Sequence, residues 1–134
     1  MIVVAALLAS GCSRSKGTTG AAKPATSEAS PSSAPAPPPA PVTITYANIA
    51  IDHPAVTVPV GTTVVWANAE PTALPHNVTS GTIDGTTPHP DGKFASAPLF
   101  NPGEKFEHTF TAPGTYHYYC SVHLAQMQGT ITVG

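Results

Sequence analysis

The stretch Tyr118-Tyr119-Cys120-Ser121-Val122-His123-Leu124-Ala125-Gln126-Met127-Gln128-Gly129-Thr130-Ile131-Thr132-Val133 decides how this chain is read. It leaves an aromatic, β-prone run, crosses a short mixed segment, and resumes as Thr, Ile, Thr and Val after a glycine. Aromatic and β-branched residues in period-two alternation favour strands, and the residues between such runs form the connection. The prediction is strand, loop, strand, with Cys120, His123 and Met127 all carried by the loop. A thiol, an imidazole and a thioether thus fall within eight residues at the end of a strand, where side chains can converge.

The same grammar extends upstream. Strands are expected near residues 43–51, 55–58, 62–68, 77–80, 105–111, 115–120 and 129–133. Turns are expected at Val58-Pro59-Val60-Gly61, Asn101-Pro102-Gly103 and Ala112-Pro113-Gly114. Phe106, His108 and Phe110 fall on one strand face, opposite Glu107 and Thr109. Trp66 lies between Val65 and Ala67 and reads as core. Seven to eight short strands without helical periodicity predict an all-β antiparallel Greek-key sandwich over residues 42–134. Residues 81–104, rich in Gly, Pro, Asp and Thr, are expected to form a long irregular excursion.

The N-terminal third has a different composition. Residues 13–41 contain no Val, Ile, Leu or aromatic residue, and end in Pro35-Ala36-Pro37-Pro38-Pro39-Ala40-Pro41. Such a segment has too little apolar surface to fold and reads as a tether. Its residues 17–41 would reach about 30 Å as flexible coil and about 75 Å as polyproline II. The apolar run over residues 2–9 is too short to span a bilayer and has the length of a signal-peptide core. It ends in Leu8-Ala9-Ser10-Gly11-Cys12, which resembles a bacterial lipobox, with Ala9 where Leu is usual. Residues 1–11 are therefore expected to be a signal peptide, and Cys12 the lipidated start of the mature chain. An exported protein on the outer face of the cytoplasmic membrane or in the periplasm follows. Arg14 and Lys16 could each add about 1 kcal/mol of attraction to anionic lipid. A Cys12–Cys120 disulfide is not expected, because Cys12 edges the signal and Cys120 has metal-ligand neighbours.

Formal net charge is −2. Arg14, Lys16, Lys23 and Glu28 make the N-terminal part positive by two. From residue 42 onward, Lys93 and Lys105 face Asp52, Glu70, Asp84, Asp91, Glu104 and Glu107. No basic patch exists for nucleic acid.

Soft sulfur with imidazole is the donor chemistry of copper that alternates between Cu(I) and Cu(II). Cys120 and His123 supply two donors and Met127 a weak third. His76, between Pro75 and Asn77 ahead of a strand-like segment, is the best further imidazole. Two imidazoles and a thiolate form a trigonal set with Met127 as the long axial contact, and no good open position remains for hydrolysis. His53 and His89 precede prolines in loop-like stretches, His108 lies in a strand, and all three are expected at the surface. His117 should face away from the Cys120 neighbourhood or be packed.

The segments YYCSVHLAQMQGTITV and PHNVTSG resemble the ligand loop with last strand, and the upstream histidine segment, of the plastocyanin/azurin blue-copper family, the cupredoxins. The resemblance covers residues 42–134. It implies a Greek-key sandwich holding one type 1 copper ion, with ligands His76, Cys120, His123 and Met127. Asn77 matches a family position that supports the thiolate through hydrogen bonding. The His123-to-Met127 interval of four is one shorter than in plastocyanins, which leaves Gln128 as the alternative axial donor.

The function implied is a membrane-tethered electron carrier, not an enzyme. It would act as a monomer whose partners are redox proteins: a cytochrome, a quinol-oxidising complex or a terminal oxidase. The rim Leu74, Pro75, Leu124 and Ala125 around His123 suits brief docking. The alternative is copper scavenging or delivery without redox traffic, but delivery proteins use Met-rich or Cys-x-x-Cys sets, and this chain has two methionines and no second cysteine near Cys120.

Overall fold

The computed structural model describes residues 35–134; the proposed signal, Cys12 and most of the tether lie outside the described residues. Pro35 to Pro41 carry no regular structure, and the first strand begins at Val42. Nine strands follow: β1 (Val42–Ala47), β2 (Ala50–Ile51), β3 (Ala55–Val58), β4 (Thr63–Asn68), β5 (Thr79–Asp84), β6 (Thr87–Ala95), β7 (Lys105–Thr109), β8 (Gly114–Tyr119) and β9 (Gln128–Val133). They form a four-stranded sheet, β2-β1-β4-β7, and a five-stranded sheet, β3-β9-β8-β5-β6. The β-sandwich is the predicted class.

Three details correct the prediction. The sheets are mixed rather than antiparallel, because β1 runs parallel to β4 and β3 parallel to β9. The chain visits the second sheet at β3 and returns at β4 in its original direction, which no local pattern records. The strands number nine because the expected strand over 43–51 is broken at Asn48 and Ile49, and because residues 81–104 are not wholly irregular. β6 occupies much of that excursion and pairs with β5. It is an edge strand, so Pro88 and Pro90 lose no ladder bond that the sheet requires. A bulge between Thr79 and Gly81 absorbs the shift in register.

Alternation along the strands builds the core. Ile44, Tyr46, Val64 and Trp66 point inward from one sheet, and Val58, Phe94, Tyr118, Ile131 and Val133 from the other. Trp66 is central, stacked on Phe94 at 5.7 Å and edge-on to Tyr118 at 5.4 Å. Each large apolar side chain removed from water contributes about 1.5–3 kcal/mol. His108 departs from its expected surface position: it stacks on Phe94 at 4.8 Å, and burial holds its pKa below the ordinary imidazole value.

The end of the sandwich where β4 and β8 finish and β5 and β9 start carries the chemistry. Gly129 makes that end possible, since a Cβ there would run into the ring of Tyr118 across the β8–β9 pair.

Candidate metal centre

Cys120 is the first residue beyond β8, and its backbone ties the loop shut. Its N–H donates to the Met127 carbonyl at 2.9 Å, and its carbonyl accepts from Leu124 N–H at 2.8 Å. Residues Leu124–Gln126 form one 3₁₀ turn, entered with Leu124 at φ 47° and closed by Met127 N–H donating to the Leu124 carbonyl. These backbone bonds fix the shape of the loop from within. It leaves Cys120 and Met127 fully buried and His123 half-buried.

His76 arrives from the connection between β4 and β5. Its backbone forms an isolated two-way bridge with Leu99, at 3.0 and 2.7 Å. The ring is fully buried, edge-on to Tyr46 at 5.4 Å and 4.8 Å from the ring of His123. His76 Nδ1 lies 3.9 Å from Cys120 Sγ, and His123 Nδ1 lies 3.7 Å from the same sulfur. The three donor atoms fall within 4.8 Å of one another, the one such cluster among the described residues.

These separations fit a metal. Bonds of about 2.0–2.1 Å to nitrogen and 2.3 Å to sulfur, meeting near 120°, would set N and S about 3.7–3.8 Å apart. A structural zinc site would want a fourth good anionic or imidazole donor, whereas a buried thioether beside two imidazoles and one thiolate suits copper. Met127 is buried in the same core cluster as Cys120. Gln128 is exposed, and its Nε2 donates to the Ala125 carbonyl. Burial, and secondarily the nearby positive charge that His76 can carry, lowers the His123 pKa, with Glu70 pulling the other way. The neutral imidazole is the form that binds metal.

The Asn77 amide clasps Ser121, donating Nδ2–H to Ser121 Oγ and accepting Ser121 N–H on Oδ1, both at 2.7 Å. It thus joins the His76 segment to the residue that follows Cys120. His53 and His89 are exposed. His117 is exposed too, with its Nδ1 3.1 Å from Thr130 Oγ1 and away from the cluster. Leu74, Pro75 and Leu124 are half-buried, while Val122 and Phe100 are more exposed, at 47% and 54%.

Two residues at this site escaped the sequence reading. Glu70 is buried, with Oε1 3.0 Å from His76 Nε2. Burial opposes its charge, yet N–H groups of Ile49 and Asn48 together with His76 outweigh that and hold its pKa below the usual carboxylate range. Asn68 is also buried; its Nδ2 donates to the carbonyls of Leu74 and Leu99, and its Oδ1 accepts from Glu70 N–H. Neither stands out in the sequence, because an Asn ending a strand and a Glu before a proline are ordinary turn residues.

Comparison with known proteins agrees with this chemistry. Residues 40–134 match the family of copper binding proteins described as plastocyanin/azurin. An amicyanin from Paracoccus denitrificans is 32% identical over 107 residues, spanning 78% of this chain and 73% of its own. A purple cupredoxin from Nitrosopumilus maritimus superposes with a TM-score of 0.57 at 35% identity, over 69% of this chain and 99% of that one. A copper-containing nitrite reductase from Thermus scotoductus superposes with a TM-score of 0.58 at 31% identity, but the match covers only 24% of that chain.

Proposed function

Because this chain belongs to the plastocyanin/azurin family of copper-binding proteins, we propose that it is a single-ion electron carrier in which His76, Cys120, His123 and Met127 hold the copper. The observation that carries the reading is the approach of two imidazole Nδ1 atoms to 3.7 and 3.9 Å from one buried thiol. When bound, copper supplies a one-electron couple. The protein's part is to hold the donors still, since electron transfer is fastest when little has to move. The buried His76, the closed loop and the Asn77–Ser121 clasp all serve that end.

Met127 is the better candidate than Gln128 for the weak fourth donor, because its side chain is buried in the core cluster that holds Cys120, whereas Gln128 is exposed and bonded to the Ala125 carbonyl. His123 is the one proposed ligand that is not fully buried, so its ring edge offers the short route between the surface and the site. Leu74 and Pro75 ahead of His76, with Val122 and Leu124 on either side of His123, offer apolar surface suited to brief encounters with a redox protein. The −4 balance of residues 42–134 mildly favours a basic partner. An enzyme reading has little support, since the nitrite reductase resembles this chain over a small part of its length.

Export and anchoring complete the proposal: a signal over residues 1–11, a lipid on Cys12 and a tether to residue 41 would keep the domain at the membrane's outer face. The support is the apolar run 2–9 with the Ala9-Ser10-Gly11-Cys12 junction.

The test against copper delivery is to cycle the copper-loaded protein between ascorbate and ferricyanide in the presence of a Cu(I) chelator. An electron carrier keeps its metal through repeated cycles. Transfer of copper to the chelator at each reduction would favour delivery and refute the proposal.

A further inference from the structure

The turn between β1 and β2 has both central residues in the left-handed region, Asn48 at φ 54° and Ile49 at φ 57°. Two-residue hairpin turns of this kind take Asn, Asp or Gly. Asn48 fits the pattern, but a β-branched residue at positive φ is a genuine outlier. Core packing does not account for Ile49, whose side chain is 38% exposed. Its backbone does something specific: Ile49 N–H donates to Glu70 Oε1 at 3.0 Å, and the Asn48 N–H beside it helps hold the same carboxylate below the usual range. Successive N–H groups in a turn make a concave seat for an anion. Here the anion is a side chain of the protein itself.

The same Oε1 lies 3.0 Å from His76 Nε2. An ionised carboxylate only accepts hydrogen bonds, so His76 must carry its proton on Nε2, leaving the Nδ1 lone pair for the site. Asn68 fixes the backbone of Glu70 by accepting its N–H on Oδ1, and also donates Nδ2–H to the carbonyl of Leu99, the backbone partner of His76. We propose that Glu70, seated by the strained Asn48–Ile49 turn, is a positioning residue that selects the tautomer of His76 and holds a buried negative charge one imidazole away from the copper. This deepens the proposed function and rests on His76 being a ligand. The charge stabilises Cu(II) relative to Cu(I), so the native carboxylate lowers the reduction potential.

The variants are E70Q, nearly isosteric but uncharged, and I49G, which keeps the N–H and adopts the same φ without strain. The first readout needs no copper: ring nitrogen shifts of His76 in the metal-free protein at alkaline pH. Wild type and I49G should show the Nε2–H form, and E70Q a mixture of tautomers. The second readout is the potential of the copper-loaded protein. E70Q should favour Cu(I) about tenfold more than wild type does, a rise of about 59 mV for one electron, while I49G stays within about twofold. An unchanged His76 tautomer in E70Q would overturn the inference even with copper bound normally. A shifted tautomer with an unmoved potential would overturn the electrostatic role. A tautomer mixture in I49G would overturn the role of the turn. Failure of wild type to bind copper would count against the proposed function instead, and the tautomer readout would still decide the inference.

Discussion

Met127 separates two ways of finishing the same site. It is buried with Cys120, while the adjacent Gln128 faces solvent and caps the loop through the Ala125 carbonyl. Replacing Met127 by Leu should preserve the thiolate-to-copper colour and raise the potential, by about 59 mV for each tenfold loss of Cu(II) over Cu(I) affinity. Replacing Gln128 by Ala should leave the potential unchanged. The reverse pattern, read by voltammetry, would make Gln128 the axial donor. The residue scale also explains what the sequence revealed of the site. Cys120, His123 and Met127 are legible because one short loop after a strand carries a thiol, an imidazole and a thioether together. His76 is legible through its place between Pro75 and Asn77 at the start of a strand-like segment. Glu70 and Asn68 are not, because their roles exist only once the connection after β4 folds back over β1 and Leu99.

Elements matter through how closely they approach. β8 and β9 form the floor of the site, and at Gly129 the ring of Tyr118 occupies the space a side chain would need. Gly129→Ala should destabilise the fold by about 1–3 kcal/mol, the usual cost of forcing atoms into a packed core. A denaturant midpoint unchanged from wild type would show that Tyr118 has somewhere to go. Strand pairing also marks where sequence reasoning stopped. The alternation Phe106, His108, Phe110 predicted β7 correctly, with Lys105, Glu107 and Thr109 left exposed. β6 stayed hidden because Pro88, Pro90 and Gly92 carry loop chemistry, and an edge strand tolerates it. The parallel pairs β1–β4 and β3–β9 depend on which sheet each strand joins, a property of the assembled sandwich.

At the scale of the folded domain, two sheets are closed around Trp66, and at one end the 120–127 loop and the His76 connection meet at Cys120. Rigidity there is distributed: the 120–127 loop is tied by its own backbone, His76 by Leu99 and Glu70, and the two halves by Asn77 and Ser121. A site held in that way suits a role in which the donors stay put while one electron comes and goes. The most direct test is a copper titration of the purified protein, followed by visible absorption and EPR, with Cys120→Ser alongside. The account predicts one equivalent of copper, an intense thiolate charge-transfer band with narrow copper hyperfine splitting, and loss of that band in Cys120→Ser. Copper bound without the band, or a band that survives in Cys120→Ser, would contradict it.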